Sequence, residues 1–228
     1  MNIRRHIRML AVPLLLAAGA ALAHTVAEGD QDFVRNSAGA QIVPFIYLGA
    51  KHMITGYDHL LFLAGVIFFL YRLKEVALYV TLFAIGHSST LLLGVLTGLH
   101  VNPFLIDAII GLSVVYKALD NLGAYRRWFG FQPNTKAAVL IFGFFHGFGL
   151  ATKLQEFTLS RDGLVPNILA FNVGVETGQL LALTAILIAM GFWRRSANFQ
   201  RRAFAANTVL MTAGFALIGY QLTGYFVS

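Results

Sequence analysis

Six long apolar stretches follow one another along the chain, roughly at residues 42–71, 75–97, 103–121, 136–153, 165–192 and 203–226. Most are near the ~20 residues that carry an α-helix across the hydrocarbon layer of a membrane. The first is too long for one perpendicular helix. Gly49 and Gly56 are where it would divide into a short leading helix and a span. Composition agrees. Charged residues make up 12% of the chain against about 25% in a soluble domain, and the mean hydropathy is +0.70. The 22 glycines suit helices that approach one another closely in lipid. The expected fold is all-α, a polytopic bundle of about six transmembrane helices.

Residues 1–23 read as an export signal: Arg4, Arg5 and Arg8 form a positive end, Met9 to Leu22 an apolar stretch, and Ala21-Leu22-Ala23 a cleavage site. Cleavage there would start the mature chain at His24, followed by a polar exported segment over residues 24–41. A transmembrane domain at 42–228 completes the organisation. Loop charges set the orientation. With the mature N-terminus exported, Arg72, Lys74, Arg126, Arg127, Lys136, Arg194, Arg195, Arg201 and Arg202 face the cytoplasm. Arg35, Lys51, Lys153 and Arg161 are left outside. That bias follows the positive-inside rule and places the chain in the inner (plasma) membrane of a bacterial-type cell.

The net charge of +7 sits in these short loop clusters, with no basic face for nucleic acid. There is no cysteine, which removes disulfides, thiolate metal sites and thiol nucleophiles. No G-x-x-x-x-G-K-[ST] loop occurs, so any transport draws on a gradient or a partner. Gly56-Tyr-Asp-His59 and Gly143-Phe-Phe-His146 echo each other faintly across the two halves, as in inverted-repeat transporters.

Chemistry enters through ionisable residues inside the spans, each costing about 2.5–3.5 kcal/mol at mid-helix. His52, Asp58 and His59 lie in the first stretch, His87 in the second, Lys117 and Asp120 in the third, His146 in the fourth, and Glu176 with Gln179 in the fifth. His52 and His59, two turns apart, share a helix face. Asp58 lies about 100° round from His59, so one of the two can orient the other. Imidazole with carboxylate and no sulfur suits divalent nickel, cobalt, zinc or iron. His52, Asp58, His59, His87, His146 and Glu176 are accordingly the expected metal ligands.

Plainer roles compete at single positions. His87 with Ser88 and Ser89 fits an interhelical hydrogen bond, and Glu176 fits an ion pair with Lys117. Lys117 and Asp120 fit a local pair one turn apart. Asp107 and His100 fit solvated positions near the exported surface. The glycines of Gly143-Phe-Phe-His146-Gly-Phe-Gly149 fit close packing, or a loosened helix beside a ligand. His24, as a mature N-terminus, fits either amine-plus-imidazole chelation or a polar tail.

Four segments resemble the HupE/UreJ family of membrane proteins, its second branch above all. They are His52-Met-Ile-Thr-Gly-Tyr-Asp58-His59, Gly86-His87-Ser-Ser-Thr-Leu91, Phe145-His146-Gly-Phe-Gly-Leu150 and Phe171-Asn-Val-Gly-Val-Glu176-Thr-Gly-Gln179. The first is similar to the family's H-P-x-x-G-x-D-H signature, with Met53 in place of the proline. The resemblance implies nickel uptake linked to hydrogenase and urease, with His52, Asp58 and His59 selecting the metal. Three functions are consistent with these residues. The first is a nickel- or cobalt-type permease, with the lipid bilayer and the ion as partners and proton-for-metal exchange at the histidines. The second is an intramembrane zinc-type enzyme, with His52, His59, His87 and His146 as ligands and Glu176 or Asp58 as base. The third is a small metal-binding or assembly subunit of a larger membrane complex; a homo-oligomer or a further membrane partner is compatible with each of the three.

Overall fold

The computed structural model describes Asp30, Phe33 and residues 38–155 and 162–228. The export signal, most of the polar segment after it, and Arg161 lie outside the described residues. Among the described residues the structure is all-helical. The elements are α1 (Ile42–Thr55), α2 (Tyr57–Ile67), α3 (Leu73–Thr97), α4 (Pro103–Asn121), α5 (Ala124–Phe129), α6 (Thr135–Gln155), α7 (Leu164–Arg194) and α8 (Phe199–Val227). By length and composition α3, α6, α7 and α8 can each cross a membrane. The 19-residue α4 carries Asp107, Lys117 and Asp120 yet has the length to run beside them. The first apolar stretch divides at Gly56, as one of its two glycines allowed, so α1 and α2 together make one interrupted pass.

Helix ends follow local chemistry. Asn102 caps α4 by accepting the Phe104 and Leu105 amides, with Pro103 in the first turn where its missing N–H costs nothing. Gly98 ends α3 in the left-handed conformation, φ 67°, which a side chain would strain. At the end of α2, Arg194 donates to the carbonyls of Ile67 and Phe68 at 2.6 and 2.7 Å, fastening that end to α7. Phe68, Phe69, Trp193 and Phe199 cluster at the same place. Aromatic side chains at one level beside basic loops are what a membrane–water boundary favours.

The helices associate most extensively as three pairs: α3 with α6, α1 with α7, and α4 with α8. Each seam is made of small residues. A side chain on Gly174 or Gly178 would collide with the Ile46 or Ala50 carbonyl, and one on Gly147 with that of His87. A side chain on Gly214 would press on Gly111. Backbones thus meet directly, as van der Waals packing in lipid requires. Thr90 adds a bond from α3 to the Phe144 carbonyl of α6 at 2.7 Å. Contacts between pairs are sparser, and α2 fills the space among them.

The distribution of polarity is inverted relative to a soluble protein. Ile85, Leu93, Ile141, Leu169, Val173, Leu180, Leu181 and Ile188 face outward, while histidines, Asp58, Asp107, Lys117 and Asp120 lie inside. An apolar exterior around a polar interior is stable only when lipid is the solvent. The chain is a membrane protein.

Candidate metal centre

The site begins at the break in the first pass. Gly56 ends α1 with its N–H on the His52 carbonyl and starts α2 without a side-chain cap. His52 stands in the last turn of α1, with Asp58 and His59 in the first turn of α2. A Cβ on Gly56 would come to 2.8 Å of His59 Nδ1 and 3.4 Å of Asp58 Oδ1. Glycine therefore keeps room for the pair behind it.

His59 is the hub. Its ring centroid lies 5.2 Å from that of His52, 5.8 Å from His87 and 4.7 Å from His146. Four imidazoles from α1, α2, α3 and α6 thus converge, three of them fully buried and His52 8% exposed. His52, His59 and His87 can each offer a ring nitrogen within 4.8 Å of the other two. Nitrogens bound tetrahedrally to one ion stand roughly 3.4 Å apart, since each lies about 2.1 Å from the metal. Small side-chain rotations would close that gap. His146 borders the triad through His59.

Hydrogen bonds fix which nitrogens face inward. Asp58 Oδ1, an acceptor, lies 3.1 Å from His59 Nδ1, so Nδ1 carries the proton and Nε2 the lone pair. His146 Nδ1 donates to the Phe142 carbonyl at 2.8 Å, with the same consequence for its Nε2. Among the described residues, His52 Nε2, His146 Nε2 and both nitrogens of His87 have no hydrogen-bond partner. Such atoms are costly to bury, by about 1–3 kcal/mol each, unless something polar meets them. Phe62 and Phe83 wall the cluster, Phe83 stacking on His87 at 6.0 Å. The donors fit a divalent cation of borderline softness in a dry surround.

Two expectations need correction. Glu176 is not with the histidines; its side chain is exposed on the outer face of α7, beside Val173, Thr177 and Leu180. The interior face of that helix carries Asn172, Val175, Gln179 and Leu183 instead, all buried. Asp107 is not solvated but 6% exposed, and Lys153 donates to its Oδ2 at 2.8 Å. His100 is exposed, and Lys117 pairs with Asp120, which also accepts from Gln132 and Thr135.

Gln179 is the residue the ligand set missed. It is fully buried, and neither amide atom has a partner among the described residues. Gly174 rests on Ile46 and Gly178 on Ala50, so α1 and α7 run in the same direction. That register puts Gln179 at the level of His52.

An all-helical membrane protein with a buried histidine cluster at a helix break is the class that fold and site define. The family profile described as HupE / UreJ protein matches residues 28–228, nearly the whole chain, and the chain belongs to the HupE/UreJ family. Comparison with curated proteins and with solved structures gave no match.

Proposed function

We propose that the chain is a permease for a divalent transition-metal ion of the nickel/cobalt type, with the ion as cargo. The observation that carries this reading is the meeting of His52, His59 and His87 nitrogens from three helices inside an apolar bundle, at a break in one of them. Interrupted helices are where carriers place their substrates, because the freed backbone and the side chains of the first turn line the path. The family's relation to nickel handling supports the choice of metal. Neutral imidazole binds such ions and protonated imidazole does not, and the hydrogen bonds of His59 and His146 leave a lone pair on each Nε2 ready to take one. Asp58 holds His59 in its ligating tautomer. The basic loops argue for the inner membrane, with the mature N-terminus exported.

Replacing His59 or Asp58 with Ala will abolish nickel or cobalt accumulation in cells while leaving the amount of membrane-inserted protein unchanged. Uptake at the wild-type level in both variants rejects the permease. The full burial of His59, His87 and His146 favours, as a second reading, an ion held permanently for catalysis. A resident ion survives dialysis of the purified protein against chelator, whereas cargo is lost.

A further inference from the structure

The ion pair of buried Asp107 with half-buried Lys153 is not part of the histidine cluster but stands next to it. Asp107 lies in the second turn of α4 and Lys153 in the last turn of α6, so the pair ties the α4–α8 unit to the α3–α6 unit. The Gln221 amide of α8 donates to the same Oδ2 at 3.3 Å. The other oxygen of Asp107 lies over Gly149, where a Cβ would stand 3.7 Å from it. Gly149 is one turn from His146 on the same helix. The Lys153 side chain is the more exposed partner, 13% against 6%.

We propose that Asp107 is an outer binding station for the divalent cation, and that the Lys153 ammonium occupies it in the cation-free protein. This rests on the permease reading and adds a second site to it. A carboxylate this buried needs a positive partner. A lysine on a flexible stem at the rim supplies one and can withdraw to water. A dication arriving at that end exchanges for the ammonium at Asp107, with Gln221 beside it. The ion then lies one helical turn from His146 and the inner cluster. The exchange breaks one ion pair and forms another, so the bundle never holds a bare carboxylate.

The test uses the full chain in proteoliposomes with nickel chloride as the probe, reading the half-saturating concentration for uptake alongside thermal unfolding. Asp107→Asn will raise that concentration about tenfold or more, in the range lost when a carboxylate supporting a metal site is removed. Lys153→Gln, which removes the competitor, will lower it. Lys153→Arg will raise it, because a guanidinium grips the carboxylate through two hydrogen bonds. The double variant Asp107→Asn/Lys153→Gln will resemble Asp107→Asn. The proposal is overturned if the double variant recovers wild-type uptake, which marks a purely structural pair. It is equally overturned if Lys153→Arg, the variant that keeps the pair intact for folding, leaves half-saturation unchanged. His87→Ala separates the two readings: if uptake survives His87→Ala and His59→Ala, the inner site itself is wrong. If those variants lose uptake while the Asp107 and Lys153 variants match wild type, only the outer station is wrong.

Discussion

At His59 three imidazole rings and one carboxylate meet, and the role of each neighbour follows from that contact. Asp58→Asn keeps the shape and an acceptor oxygen but removes the charge that raises the basicity of His59. It will weaken nickel binding about 10–100-fold without lowering the melting temperature, a split that titration calorimetry and thermal unfolding measure together. Gln179 allows a different check. An amide buried without partners is a liability unless a polar guest meets it. Gln179→Leu will therefore stabilise the cation-free protein and shrink the rise in melting temperature that nickel produces. An unaltered nickel-induced rise removes Gln179 from the site.

Helix packing brings these side chains together. His87 and His146 meet His59 because α3 and α6 lie backbone to backbone, with Gly147 under the His87 carbonyl. Gly147→Leu will force the two helices apart, costing about 1–3 kcal/mol of stability and most of the metal affinity. Thr90→Val, which loses the bond to Phe144, will cost only about 0.6–1.7 kcal/mol and spare binding. Unfolding in detergent, scored with and without nickel, orders the two. What is legible in the sequence follows from the same packing. His52, Asp58, His59, His87 and His146 stand out because an ionisable group in a long apolar run is too costly to keep without a polar partner inside the bundle. The choice between Glu176 and Gln179 is not legible. On a soluble helix the polar face marks the exterior, but each face of α7 is mostly apolar with a few polar residues, so periodicity does not tell which of them points inward. Asp107 is hidden for a related reason: proximity to a helix start suggests water, and its partner Lys153 lies 46 residues away on another helix.

Three tightly joined helix pairs with looser contacts between them make a molecule whose parts can shift against one another while each stays intact. The histidines straddle those divisions. His52 belongs to the α1–α7 pair, His87 and His146 to α3–α6, and His59 to the interrupted segment between. A cation held by all of them cross-links the pairs, and releasing it frees them. Saturating metal, at about 100 times its dissociation constant, will then stabilise the whole bundle by about 2.7 kcal/mol, and chelator will reverse the gain. The most direct measurement is X-ray absorption at the nickel edge on the metal-loaded, detergent-purified protein. A shell of three or four imidazole nitrogens, losing one when His59 is replaced by Ala, is the predicted result. An all-oxygen shell, or a spectrum indifferent to His59, contradicts it.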